Sequence, residues 1–286
     1  MASILTALIN LADKKDNNIK HVRSSRTIAN AMGDSLDAYI KSLFIKNIDN
    51  LTLEEINLKN EEIFSWLGNQ NHIPDFILKN SDAVEVKKIG GVGSLALNSS
   101  HPKQVLTSDS LMISQGCRDC EGSGVSWSKE LWYVIGTVEN NKITYLFFVQ
   151  GLLYSADESI YAKIKSGIKN GIEEISGVQF SSTNELARVN NVDPLGITSL
   201  RVRGMWSIKH PFNTYDYIPE IEKHNTTTND KLYTYILVEN KKYLSFSETE
   251  RSLLESKQNV KIYDKQIKNP NNPAQLINSK LIRIEV

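Results

Sequence analysis

The sequence predicts an α/β (α+β) fold, a mixed central sheet flanked by helices. Three patterns predict it: apolar residues at helical spacing before residue 50, paired strand-like runs between 75 and 150, and a helical run followed by more strands beyond 150. With 286 residues, 40 % of them hydrophobic, the chain can bury one substantial core.

Met1 to Ala12 carries Ile4, Leu5, Leu8, Ile9 and Leu11 with no basic leader or small-residue cleavage site, so it reads as a first helix and not as a secretory signal. From Ser25 to Lys46, Ile28, Met32, Leu36, Ile40, Leu43 and Phe44 mark an amphipathic helix. A more polar helical stretch runs from Leu53 to Leu67, and Gly68-Asn69-Gln70-Asn71 breaks it. Two short strands follow, Asp75 to Leu78 and Ala83 to Lys87, joined by the turn-prone Lys79-Asn80-Ser81-Asp82. They form a hairpin or two adjacent strands.

A Gly90-Gly91-Val92-Gly93 loop leads to a strand at Leu95 to Leu97 and then to the polar run Asn98 to Lys103. The clearest hairpin is Leu131 to Val138 with Ile143 to Gln150, turning at Glu139-Asn140-Asn141-Lys142. Asp157 to Ile175 is a helix weakened by Gly167 and Gly171. Beyond Pro219 the cluster Thr226 to Asp230 marks an exposed loop before a strand at Leu232 to Val238. No repeat or linker-length tract divides the chain, so 1–286 reads as a single domain with a carboxyl-terminal extension. No apolar stretch approaches the roughly 20 residues of a membrane span, and a cytoplasmic protein with no membrane partner is expected.

Thirty-three basic and 33 acidic residues give zero formal net charge, which argues against a protein that coats nucleic acid non-specifically. A specific DNA enzyme is not excluded, because a basic cleft can be balanced by acid elsewhere. Cys117 and Cys120 form one C-x-x-C, too few for a disulfide scaffold or, without a second pair, for a tetrahedral zinc site. That motif stays unassigned.

Side chains alternate across a strand, so Glu85 and Lys87 share one face while Val84 and Val86 take the other. Asp75 and Ile77 share a face of the preceding run, and if the two runs pair, Asp75 and Glu85 converge. Hydrolysing a phosphodiester needs a cation on the non-bridging oxygens and an oriented water. Magnesium is held by a few carboxylates, water and phosphate. Asp75, Glu85 and the Val86 carbonyl match that requirement, with Lys87 placed to orient the water or help remove its proton. The competing reading is a half-exposed strand of charges alternating with valine.

Two further groups of residues are candidates for DNA contact. Arg201, Arg203, Trp206, Lys209 and His210 combine three firm positive charges with an aromatic ring within ten residues, and an arginine can bond both guanine O6 and N7 in the major groove. The alternative is a solvated strand edge with a core tryptophan. Asn98, Ser99, Ser100, His101 and Lys103 offer phosphate-positioning groups just after the presumed active strand, or a purely local cap or turn.

These same blocks carry a resemblance. The segment Ile73-Pro74-Asp75 through Glu85-Val86-Lys87-Lys88-Ile89 and on to Leu95-Ala96-Leu97-Asn98-Ser99-Ser100-His101-Pro102-Lys103 resembles the type II restriction endonucleases of the NgoPII family. So do Gly33 to Tyr39, Val192-Asp193-Pro194-Leu195-Gly196 to Trp206, and Asn269-Pro270-Asn271-Asn272-Pro273-Ala274. The likeness is strongest from about Ala29 to Phe212 and diffuse from Asn213 to Lys268.

The resemblance implies a restriction-endonuclease-like PD-(D/E)xK nuclease domain, with 1–150 the catalytic core region and 151–286 the DNA-recognition and carboxyl-terminal region. It also implies a homodimer, Mg2+ dependence and cleavage of double-stranded DNA at a short palindrome, GGCC in the family's type member. A companion DNA methyltransferase would act on the same site without needing to bind this chain. One departure is visible: the family's early helix carries a glutamate where this chain has Asp37, and a shorter side chain reaches less far as an auxiliary metal ligand. The alternatives are a structure-selective DNA repair nuclease and a non-catalytic DNA-binding module.

Overall fold

The computed structural model describes residues 2–14, 36–68, 73–139, 142–183, 185–224 and 231–286. Its helices in chain order are α1 (Ile4–Ala12), α2 (Leu36–Ser42), α3 (Leu53–Ile63), α4 (Gln115–Arg118), α5 (Gly151–Tyr154), α6 (Glu158–Glu173), α7 (Pro211–Thr214), α8 (Asn240–Ser245) and α9 (Glu248–Glu255). The strands are β1 (Phe64–Leu67), β2 (Phe76–Leu78), β3 (Ala83–Ile89), β4 (Leu95–Asn98), β5 (Val105–Thr107), β6 (Ser128–Glu139), β7 (Lys142–Gln150), β8 (Gln179–Phe180), β9 (Ala187–Asn190), β10 (Leu200–Val202), β11 (Trp206–Ile208), β12 (Tyr233–Glu239), β13 (Val260–Asn269) and β14 (Asn272–Glu285).

One large mixed sheet runs in the order β1-β2-β3-β6-β7-β12-β14-β13, with β5 added beside β6. The β3–β6 and β7–β12 pairs are parallel, and the other neighbours are antiparallel. Alternation divides its side chains into two layers. Val84, Trp132, Val134, Phe148 and Ile236 pack under α1, α2, α8 and α9. Ile77, Ala83, Tyr133, Ile135, Phe147 and Tyr235 pack on the other face, against α5, α7 and the two-stranded β4–β11 ribbon.

α1 is buried almost all round, and it starts at Ser3, whose hydroxyl accepts from the Leu5 amide. Both Ser3 and Thr6 also donate to Glu250 of α9, at 2.9 and 2.8 Å, tying the two ends of the chain together.

Three expectations change. The helix expected over Ser25 to Lys46 lies partly outside the described residues; within them it covers only Leu36–Ser42, after which the Leu43 and Phe44 amides close tighter three-residue turns. The helix expected to Leu67 stops at Ile63, because Phe64 is drawn edge-on between Phe44 and Phe76 (5.8 and 5.4 Å) and its backbone joins β2. The expected carboxyl-terminal extension instead supplies β12, β14 and β13 to the central sheet. Polar residues crowd β13, so its alternation is weak in the sequence; pairing with β14 along its length makes it a strand.

The predicted hairpin β6–β7 and the helix α6 stand where expected, and Gly167 and Gly171 lie on open surface. The loop expected at Thr226 to Asp230 lies outside the described residues. Among those described, no helix is long and apolar enough to cross a membrane.

Candidate active site

The β2–β3 hairpin is antiparallel, with Phe76 opposite Val84 and Ile77 opposite Ala83. Continued by one step, that register sets Asp75 beside Glu85, and Asp75 Oδ2 accepts a 2.6 Å hydrogen bond from the Val86 amide. On β3, Lys87 Nζ donates to Glu85 Oε1 at 2.6 Å. Two acidic groups and an amine therefore meet at the open end of one hairpin. Two contacts fix it there. Gly68 donates its amide to the Asp75 carbonyl at 2.7 Å, and the turn residue Asp82 is buried and paired with Lys242 of α8 at 2.6 Å. The Ile73-Pro74 peptide is cis.

Burial is the largest influence on the acids. It pushes the Asp75 carboxyl up to about 7, helped by repulsion from Glu85 and Asp37 and opposed by the Val86 amide. Burial likewise raises Glu85, against the pull of Lys87. Burial works against the Lys87 ammonium, yet pairing with Glu85 outweighs it, so the amine is held above its ordinary value. Lys87 is thus a cation at neutral pH.

Asp37 enters this field from the first turn of α2, where Lys41 Nζ holds its Oδ2 at 2.8 Å. Among the described residues, its Oδ1 and the Oε2 of Glu85 are buried and have no hydrogen-bond donor. Such orphaned carboxylate oxygens fit a hard cation. Among the described residues no three His, Cys, Asp or Glu side chains are grouped to hold one metal ion.

The candidate DNA contacts separate into two places. Asn98 pairs through its backbone with Trp206 in the β4–β11 ribbon; its side chain lies outside the described set. Ser99 is exposed at the turn, and Ser100 donates its amide to Leu97. His101 stacks on Tyr161 of α6 at 5.1 Å, with Trp206 edge-on to both rings. Lys103 is buried, and its Nζ meets Glu158 Oε1 at 3.0 Å. Arg201 and Arg203 lie elsewhere: both are bound to Glu185, at 2.8 and 2.7 Å. Arg201 and Glu185 line a pocket of about 410 Å³ with Arg118 and Met112. Lys209 is exposed, and its carbonyl accepts from the Tyr154 hydroxyl.

The NgoPII restriction endonuclease family matches residues 2–268. The chain belongs to this family. It is 42 % identical over 284 residues to the type II restriction enzyme NgoPII of Neisseria gonorrhoeae, covering 98 % of each chain. No solved structure matches it.

Within this NgoPII family member, spacing alone missed several residues that shape the site. Tyr133 lies opposite Glu85 in the parallel β3–β6 pair, and its hydroxyl accepts from the Lys103 amide at 2.7 Å. Glu158, Tyr161, Glu185 and Lys242 each act on a partner at least 15 residues away, which no local motif records. The Asp193 block has a local logic instead: its carboxylate accepts from the amides of Leu195 and Thr198 at 3.0 and 2.7 Å, and Gly196 takes the left-handed conformation. Cys117 is buried and Cys120 half-buried; both are free thiols, and the Cys117 hydrogen bond draws Cys120 down to about 7.

Proposed function

We propose that the protein is a Mg2+-dependent type II restriction endonuclease that hydrolyses both strands of double-stranded DNA at a short palindrome, GGCC as the family resemblance suggests. The observation that carries this reading is the meeting of Asp75, Glu85 and Lys87 at one hairpin end, in a chain of this family.

Asp75, Glu85 and the carbonyl of Val86 are the groups that would hold magnesium. When bound, the ion neutralises charge on the scissile phosphate and makes a water acidic enough to deprotonate. Asp75 is kept in place by the Val86 amide, which donates to its Oδ2. Lys87, a cation on the same face as Glu85, is suited to hold the phosphate and orient water; its raised pKa speaks against a role as base in the metal-free protein.

A palindrome calls for two-fold symmetry in the protein. A homodimer is supported by α6, where Ile160, Ile164 and Ile168 stand exposed at four-residue spacing along one face and no residue of the helix is buried. A companion methyltransferase would protect the host's own sites, and the cytoplasm would hold enzyme and DNA together.

Plasmid cleavage tests the reading. Discrete fragments with magnesium, none with a chelator and none from Glu85→Ala are expected. Intact plasmid with the wild-type protein and magnesium, or unchanged cutting by Glu85→Ala, rejects it.

A further inference from the structure

Glu158 Oε1 is held by Lys103 Nζ at 3.0 Å, and the His101 ring stands beside the pair, its Nε2 3.4 Å from Glu158 Oε1 and 3.5 Å from Lys103 Nζ. The two partners differ sharply in exposure. The Lys103 side chain is 4 % exposed and that of Glu158 is 67 % exposed, so the cation is built into the protein while the carboxylate reaches it from solvent. An ammonium so enclosed is costly to leave unpaired.

The cation's place is rigid. Both main-chain polar groups of Lys103 engage the Tyr133 hydroxyl, at 2.7 and 3.3 Å, and a Cβ at Gly151 would stand 2.6 Å from the Lys103 carbonyl oxygen. His101 is held as firmly, its Nδ1 on the Pro102 carbonyl at 3.1 Å and its ring stacked on Tyr161. Tyr133 faces the same side of the sheet as Glu85, one strand away. Tyr133 thus links the Lys103 segment to the strand next to the one that carries Glu85 and Lys87.

We propose that Lys103, walled by the His101 ring, forms a seat for one backbone phosphate of duplex DNA, and that Glu158 occupies this seat in the DNA-free protein and swings out when the phosphate arrives. A carboxylate oxygen and a non-bridging phosphate oxygen make the same demand on an ammonium. Glu158 keeps the buried cation satisfied until then, at the cost of competing with DNA. The inference rests on the nuclease reading above and adds to it a residue that lowers affinity for any duplex.

Binding of a GGCC duplex, with calcium in place of magnesium and salt held constant, tests it. Glu158→Gln should bind roughly three- to tenfold tighter than wild type. Lys103→Met should bind more weakly, and Glu158→Gln should gain nothing in the Lys103→Met background. Glu158→Ser, a residue suited to a helix start, should repeat the gain if the glutamine variant unfolds early. Replacing one linkage at a time by a neutral methylphosphonate should abolish the gain at a single backbone position. A folded Glu158→Gln or Glu158→Ser that binds no tighter than wild type overturns the seat alone, as does a gain indifferent to every neutral linkage. Wild-type protein that binds no duplex at any salt overturns both the seat and the nuclease reading.

Discussion

The Asp75 carboxylate accepts a 2.6 Å hydrogen bond from the main-chain amide of Val86, so the register of the hairpin itself delivers one acidic group to the strand that carries the other. Nothing more distant is needed to bring Asp75 and Glu85 together. The energetic consequence is a concentration of negative charge that the metal-free fold bears at a cost.

That cost has a definite pH dependence. The Asp75 carboxyl is pushed up to about 7, above its ordinary value of 3.8, so the folded protein holds the proton more tightly than the unfolded chain. Its contribution to stability is fully present below the unfolded value and is lost as pH rises through about 7. In chelator, Asp75→Asn should therefore unfold at a higher temperature than wild type at pH 8, and its advantage should shrink steadily as pH falls toward 4. Melting curves across that range check it, and an advantage that grows toward low pH contradicts the assignment. The same variant should cleave no DNA.

Lys87→Met removes the cation that Glu85 Oε1 holds at 2.6 Å. Cleavage should fall by about 10²-fold or more, the scale of a positioned catalytic group, while duplex binding in calcium changes far less. Single-turnover rates beside binding curves separate the two, and equal losses in both would make Lys87 a simple phosphate contact.

Gly68 holds Asp75 from behind. A Cβ there would collide with the Pro74 carbonyl oxygen and stand 3.0 Å from that of Asp75. Gly68→Ala should cost about 1–3 kcal/mol of stability by overpacking. It should also slow cleavage at temperatures where the variant is fully folded; a full-speed folded variant would show that the Asp75 backbone tolerates displacement.

The exposed isoleucines of α6 bear on assembly. Ile164→Lys combined with Ile168→Lys puts charge on a face already in solvent, so the monomer should keep its melting temperature within a few degrees. Sedimentation should show the wild type as a dimer and the double variant as a monomer, and concerted cutting of both strands should give way to nicking. A double variant that sediments with the wild type places the dimer contact elsewhere.

Much of this was legible from residues alone. Period-two alternation placed Glu85 and Lys87 on one face, the turn at Lys79 to Asp82 implied the hairpin, and the run from Asp157 to Ile175 announced α6, because each depends on neighbours within a few positions. Even there the tertiary fold intervened: Phe64 left its helix for an aromatic cluster, and Asp82, polar and turn-like, became a buried partner of Lys242.

The sequence by itself determined the grouping of two acids and an amine at the hairpin and the family to which the chain belongs, since both are written in contiguous blocks. Only the tertiary structure decided that Arg201 and Arg203 share Glu185, that Asp37 joins the acidic field while tied to Lys41, and that Lys103 is enclosed beneath Glu158. The physical reason is separation along the chain. Glu158 lies 55 residues from Lys103, and Lys242 lies 160 from Asp82, so these pairings exist only once β6, β7 and β12 have closed the sheet between them.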